Sequence, residues 1–358
     1  MQQQRIFGLD FARALAIVLV LLSHFFKKID VLGFFGVEFF FALSGYLLGQ
    51  IMWRVFNNDT SFKIVFNFWQ RRWFRTLPNY FLFLFLMLLF HIYIKKDFIE
   101  WNVIKEYFYF GQNLLKESSF FYGISWSLCV EEWFYLLFPI PIFVFRKLGF
   151  KNINSFCFTI LLFYGSCFII KNYLLATGIH NLRMVALGRL DSITSGVLVA
   201  VIILNCNEKK INALALLGVL LFILSLGLML FSNKDYSENI LLFFLIPLSF
   251  SLMLPKIERL KFPENKFIFI RSAITNLSLW SYSIYLSHIP ILFTLYYLTD
   301  SLNSSLFMKL SVKILGFILT ILVSKWLFVY FETPLTNKRP KELRPTKLVL
   351  QKYNSNSI

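Results

Sequence analysis

Charge is scarce in this chain, and negative charge is the scarcer sign. Only 15% of the 358 residues are charged, with 36 Lys and Arg against 19 Asp and Glu. Soluble domains carry roughly 25%, so a soluble fold of this length would be short of polar residues for its surface. The four cysteines, Cys129, Cys157, Cys167 and Cys206, lie in apolar segments and none belongs to a CxxC pair. That argues against a disulfide framework or a zinc site and leaves free thiols. Internal repeats, low-complexity stretches and any segment polar enough for a soluble domain are also missing. The first apolar segment has no small-residue cleavage site and carries Asp10 and Arg13, so it reads as a retained helix rather than a removed signal.

Apolar residues fill the space left by charge. They make up 58% of the chain, 45 of them Phe, and the mean hydropathy is +0.65. A helix spans the hydrocarbon with about 20 such residues. Segments of that kind fall near 7–26, 34–53, 76–94, 122–145, 155–176, 183–205, 211–231, 238–255, 274–298 and 308–331. The expected fold is therefore an all-α integral membrane protein of about ten transmembrane helices, with residues 1–336 as a membrane domain and 337–358 as a short basic tail.

The net charge of +17 follows the loops. Arg54, Lys63, Arg71, Arg72 and Arg75 come after the second segment, and Arg146, Lys147 and Lys151 after the fourth. Lys209 and Lys210 follow the sixth; Lys256, Arg259, Lys261, Lys266 and Arg271 follow the eighth. The tail adds Lys338, Arg339, Lys341, Arg344, Lys347 and Lys352. In the long loop from Lys95 to Phe121, by contrast, Asp97, Glu100, Glu106 and Glu117 balance the lysines. The positive-inside rule then places both termini in the cytoplasm. The same distribution argues against nucleic acid as a partner, because no soluble basic domain exists to bind it; the bilayer is the partner.

Ionisable groups inside apolar segments cost at least roughly 2.5–3.5 kcal/mol each and so mark candidate sites. They are Asp10, Arg13, His24, Glu38, Glu131, Glu132, Arg189, Asp191, His288 and Glu332. Arg13 and His24 are eleven residues apart, which is three turns plus about 20°, so they share a helix face roughly 16 Å apart. Asp10 lies on the same stripe, three residues before Arg13. These three suit a structural Asp–Arg pair and an interfacial histidine near Lys27 and Lys28 as well as they suit a site. Ser127, Glu131 and Tyr135 follow i, i+4, i+8 and form one polar edge, with Glu132 adjacent. Two neighbouring carboxylates in an apolar run serve acid–base chemistry or ion pairs equally well. Ser281, Tyr285 and His288 share a face, and Pro290 is expected to perturb the helix just beyond. Arg71, Arg72 and Arg75 make a helical fork suited to phosphate groups, or equally to lipid headgroups.

Taken in order, these segments resemble the membrane-bound acyltransferase 3 family, the integral-membrane O-acyltransferases of bacterial surface glycans. The resemblance begins at Gly8-Leu9-Asp10-Phe11-Ala12-Arg13 and includes Arg13 followed by His24, the family's Arg-x10-His pattern. It continues through Gly36 to Tyr46, through Arg71-Arg72-Trp73-Phe74-Arg75 with Pro78, and through Trp126 to Tyr135. Arg189-Leu190-Asp191 with Gly196, Ser283 to His288, and Glu332-x-Pro334 complete it, so that it covers nearly the whole chain. Any one piece is weak; their order is specific.

The resemblance implies a transferase that takes an acyl group, usually acetyl, from cytoplasmic acyl-CoA and gives it to a sugar hydroxyl. The acceptor would be a cell-surface polysaccharide or its lipid-linked precursor, at the bacterial cytoplasmic membrane. Acetyl-CoA serves as donor and no metal is implied. Some relatives carry an extracytoplasmic hydrolase-like domain; with none visible here, the membrane domain is expected to complete the transfer or hand the group to a separate protein. In this chemistry His24 is the candidate base for the hydroxyl. Arg13 would steady the donor's carbonyl or pantetheine arm, and Asp10 belongs to the same catalytic stripe. Arg71, Arg72 and Arg75 would hold CoA phosphates. Glu131 or Glu132 would orient His24 or contact the sugar, and Ser127, Tyr285 and His288 would line the substrate. The alternative class is a secondary transporter or flippase for a lipid-linked sugar or small anion, which buried charges also suit. Consumption of acyl-CoA separates the two. A non-enzymatic membrane sensor is a third reading, disfavoured by the presence of both Arg13 and His24.

Overall fold

The computed structural model describes residues 5–26, 29–57, 61–117, 121–232, 235–261, 267–300 and 305–343. Lys27, Lys28, Lys266 and the tail's Arg344, Lys347 and Lys352 lie outside the described residues. Every regular element among the described residues is helical. The α-helices are α1 (Phe7–Phe25), α2 (Val31–Phe56), α3 (Phe62–Leu89), α4 (Trp101–Phe108), α5 (Trp126–Leu137), α6 (Pro139–Lys147), α7 (Asn152–Ala176), α8 (Leu190–Ile202), α9 (Glu208–Phe231), α10 (Ile240–Glu258), α11 (Ile268–Asp300), α12 (Leu306–Leu327) and α13 (Thr333–Asn337). Tight 3-10 turns occupy Leu182–Met184 and Ala186–Arg189, and π-helical turns end α3 and α12 at Phe90–Lys95 and Phe328–Glu332.

Eight helical stretches are long and apolar enough to cross a membrane, which makes this a multi-pass membrane protein by length and composition. They account for all the expected spans except 183–205 and 274–298. In the first of those, α8 has only 13 residues, about 20 Å of helix against a hydrocarbon core of about 30 Å. The hydropathy of 183–205 runs unbroken, but two 3-10 turns take up its first third, to Arg189. The second falls inside α11, whose 33 residues reach about 50 Å. The third span begins earlier than expected, at Phe62. Arg71, Arg72 and Arg75 are therefore helical residues of α3 rather than loop residues.

In the middle of the bundle α2 packs against α1, α8 and α10, while α1 also packs on α11. The α2–α8 crossing is close because two glycines meet there. A Cβ on Gly45 would stand 1.9 Å from the Ile193 carbonyl oxygen, and one on Gly196 would stand 2.2 Å from that of Ala42. Small residues let backbones approach in this way in membranes, where dispersion replaces the hydrophobic effect as the packing force. Outside this centre, α7, α9 and α12 expose Leu161, Ile169, Leu220, Phe231 and Trp326, as lipid-facing helices do.

Pro290, expected from the sequence to perturb the helix, lies inside α11, and the helix runs through it. Proline removes the N–H that would bond the Leu286 carbonyl. That carbonyl is satisfied instead by the buried Tyr122 hydroxyl, which donates to it at 3.1 Å. Such re-satisfaction by a neighbouring side chain is what allows proline in a membrane helix.

Candidate active site

A cavity of about 210 Å3 opens between α1, α2, α3, α5 and α11. Its polar wall combines Arg13, Ser44, Arg72, Arg75, Thr76, Ser127, Glu131, Tyr135, Ser281, Tyr282 and Tyr285; Phe40, Phe41, Leu47, Leu48 and Ile51 supply the apolar side. The Ser127–Glu131–Tyr135 edge expected from the sequence thus faces a real cavity, as does the Ser281–Tyr285 edge of α11.

Glu131 and Glu132, inseparable by sequence, part company here. Glu131 lines the cavity, where the Ser44 and Tyr135 hydroxyls donate to its two oxygens at 3.0 and 2.9 Å. Arg72 and Arg75 are the cations that act on it. Glu132 is turned about 100° around the helix. It is buried beside Thr76, with Oε1 unpartnered, and does not line the cavity. Glu332 stands behind the same wall, accepting from Ser283 at 2.7 Å and Asn79 at 3.0 Å. The π-helical turn that ends at Glu332 shifts the helical phase at that residue, which is buried.

Two expected partnerships turn out differently. Asp10 does not pair directly with Arg13. Its carboxylate is taken by Arg5, which precedes α1, and by the Ser278 hydroxyl at 2.8 Å. Arg13 is thereby left to the cavity. The arginine fork is also divided. Arg72 and Arg75 line the cavity, but Arg71 donates to the Pro340 carbonyl at 2.6 Å and lies 3.8 Å from Glu342. Glu342 is also held by Arg54 at 2.7 Å, and Asn67 donates to the Lys341 carbonyl at 3.0 Å. The segment following α13 therefore crosses the arginine end of the bundle.

At the opposite end, His24 sits exposed in the last turn of α1 with its ring centre 4.9 Å from that of buried His288. His288 Nδ1 lies 3.1 Å from the Ile284 carbonyl. A carbonyl only accepts, so Nδ1 carries the proton. Nε2 is buried without a partner, and in the neutral ring it is a bare lone pair. The Tyr285 ring lies 5.8 Å from His288, and its hydroxyl donates to the Ile124 carbonyl at 3.1 Å. The Ser127 hydroxyl reaches the same Ile124 carbonyl at 3.4 Å, and the Ser127 and Tyr285 hydroxyls meet at 2.5 Å, where either can donate. A line of polar side chains runs from the cavity through Ser127 and Tyr285 to His288 and His24, joined by one hydroxyl contact and then by two ring contacts.

Buried ion pairs brace this line. Arg189 pairs with Glu38, both fully buried, and its guanidinium lies 4.0 Å above the Phe243 ring. Lys171 pairs with Asp191. Lys171 and Arg183 are functional-site neighbours that sequence reasoning passed over. A single lysine in the apolar stretch 155–176 was itself a signal. Arg183 carried none, because it stands at the first position of the expected span 183–205, where a charge is cheap; the structure puts it in a 3-10 turn.

A membrane bundle whose interior holds a charged cavity, rather than a sealed apolar core, suits a membrane-embedded enzyme and a transporter alike. A family profile described as an acyltransferase domain matches residues 6–329, and the chain belongs to this membrane-bound acyltransferase 3 family. It is similar to the O-acetyltransferase OatA of Staphylococcus aureus (strain NCTC 8325 / PS 47), at 25% identity over 92% of this chain and 57% of that protein. It is also similar to the peptidoglycan O-acetyltransferase OatA of Listeria monocytogenes serovar 1/2a (strain ATCC BAA-679 / EGD-e), at 29% identity over 39% of this chain and 24% of that one. The chain thus spans a quarter to just over half the length of these relatives. No solved structure matches it.

Proposed function

We propose that this enzyme is an O-acetyltransferase that carries an acetyl group from cytoplasmic acetyl-CoA to a sugar hydroxyl of a cell-surface polysaccharide or its lipid-linked precursor. The setting is the bacterial cytoplasmic membrane, with both termini of residues 1–358 on the cytoplasmic side. The observation that carries the proposal is the polar line from Arg72, Arg75 and Arg13 at the cavity to the His288–His24 pair at the far end. The names of the relatives support acetyl as the group and a glycan as the acceptor.

Arg72 and Arg75 at the cavity mouth suit the anionic parts of CoA, and the apolar wall of α2 suits an acyl-pantetheine arm. Arg13 then faces the thioester, where a fixed cation favours the oxyanion that forms. At the other end His24 takes the proton from the sugar hydroxyl as its oxygen attacks the thioester carbonyl. The carbon–sulfur bond breaks, the ester forms, and the proton passes to the departing CoA thiolate. His288 holds the adjoining imidazole, and Tyr285 with Ser127 completes the wall between the two ends. Glu131, held by Ser44 and Tyr135, balances the arginines and contacts the acceptor or donor.

The test is transfer from radiolabelled acetyl-CoA by purified protein in liposomes, with crude membrane glycans as acceptor. Wild-type protein is expected to move label into glycan, and His24→Ala to abolish this while its elution profile stays monodisperse. Label transfer that persists in His24→Ala removes His24 from the mechanism. No acetyl-CoA consumption by wild type under any acceptor would favour the transporter class.

A further inference from the structure

One cation beside the polar line has no part in the chemistry above. Arg183 lies in the 3-10 turn before α8, its guanidinium 5.5 Å from the Trp126 ring centre and 5.6 Å from that of Phe34. Flanking rings fix the plane of a guanidinium and leave its N–H edge free for a ligand. Among the described residues no acid is ion-paired with it; its charge acts on Glu38, but that carboxylate is paired with Arg189, and Arg183 Nε is buried without a partner.

The turn is built rather than loose. Buried Asn113 donates to the Met184 carbonyl at 2.5 Å and to the Trp126 carbonyl at 3.2 Å. The Ala186 and Leu187 N–H groups donate to the Asn113 and Leu114 carbonyls at 2.8 and 3.2 Å. One asparagine thus holds both Arg183 and the tryptophan it rests on. Trp126 in turn precedes Ser127, the partner of Tyr285. Arg183 is near enough for its charge to act on both His24 and Tyr285. It is absent from the cavity wall that holds Arg13, Arg72 and Arg75, so it stands on the acceptor side of the line.

We infer that Arg183 is a specificity residue for an anionic acceptor: it pairs with a carboxylate or phosphate on the sugar whose hydroxyl reaches His24. The inference rests on the transferase reading for the acceptor's presence there. An arginine whose neighbouring protein anion is already paired gains more from a carboxylate or phosphate than from a neutral hydroxyl, because two charge-assisted hydrogen bonds form in parallel. Its distance from the donor cavity argues against a role at the thioester carbonyl.

The experiment compares wild type, Arg183→Gln and Arg183→Lys on three acceptors of equal length: a hexuronate oligosaccharide, a sugar-phosphate oligomer and a neutral hexose oligosaccharide. Wild type should prefer one of the anionic acceptors, and which one it prefers separates carboxylate from phosphate. Arg183→Gln should raise KM for that acceptor at least about tenfold, the size of a lost charge-assisted hydrogen bond. Its kcat, its KM for acetyl-CoA and its KM for the neutral acceptor should stay within about twofold by the same reasoning. Arg183→Lys should fall between, keeping the charge but not the stacked fork. Equal loss of kcat on all acceptors, unchanged KM, or a wild-type preference for the neutral sugar overturns the inference. Equilibrium binding of the same oligosaccharides without donor keeps the two readings apart. Anionic binding that is lost in Arg183→Gln, without acetyl-CoA consumption in wild type, would sink the transferase and spare the recognition site.

Discussion

Replacing Arg189 by methionine strands Glu38 in the centre of the bundle. Both side chains are fully buried and paired with each other, so the variant leaves a buried carboxylate without its paired cation. Breaking such a pair from one side costs about 3–5 kcal/mol. Glu38→Leu should cost a similar amount, by leaving the guanidinium. The pair is nevertheless not ideal: Glu38 Oε2 and Arg189 Nε and Nη1 have no partners, so part of the desolvation of each ion goes uncompensated. The double variant Glu38→Leu/Arg189→Met removes both charges at once. It should lie within about 1–2 kcal/mol of wild type, since apolar replacement of buried pairs is often neutral or better. Methionine also keeps a favourable contact with the Phe243 ring, which the guanidinium now covers at 4.0 Å. The double-mutant cycle should then show a coupling of at least about 3 kcal/mol. Reversible unfolding in mixed micelles by SDS titration measures all four species. Single variants that each cost under about 1 kcal/mol, or a double variant that costs their sum, would refute the argument and mean that water reaches the pair.

Gly196→Ala should destabilise the protein by about 1–3 kcal/mol through overpacking, because its Cβ would lie 2.2 Å from the Ala42 carbonyl oxygen; the same SDS titration reads it. Arg72→Gln should raise KM for acetyl-CoA about tenfold, the worth of a lost charge-assisted contact, and that KM in wild type should rise with salt. Arg71→Gln should do much less, because Arg71 is already taken by Pro340 and Glu342; equal effects of the two would mean that the segment after α13 leaves Arg71 when donor binds.

How much of this could be read from the sequence depended on whether helix geometry alone decided the question. The polar edges Ser127–Glu131–Tyr135 and Ser281–Tyr285 follow from 100° per residue, and both line the cavity. The orphaned charges told where expensive groups lay, and the Arg13-to-His24 interval fixed their separation. Tertiary choices were out of reach. Whether Glu131 or Glu132 faces the cavity depends on how α5 is rolled against α2 and α3. Asp10 found Arg5 rather than Arg13 because the partner comes from the chain before the helix starts. The short α8 hid behind hydropathy, which counts apolar residues and is blind to 3-10 turns. Arg183 matters only through Phe34 and Trp126, which lie far from it in sequence.

The interval between Arg13 and His24 carries a further consequence for mechanism. Roughly 16 Å along one helix lets both act on one thioester only if their side chains extend toward each other, so the helix alone does not complete the site. The gap is bridged from α11 and α5, where Tyr285 and Ser127 share a hydrogen bond at the cavity's edge and the Tyr285 ring meets His288. If the donor's thioester enters from the arginine end and the sugar from the histidine end, the two reactants meet beside Tyr285. The wall there must let an acyl group past while keeping water out, which the 2.5 Å Ser127–Tyr285 contact and the surrounding buried Phe41 and Trp126 are placed to do. On the proposed reaction, the α5–α11 seam, rather than the Arg-x10-His helix by itself, would be the place where donor and acceptor are kept apart until both are bound.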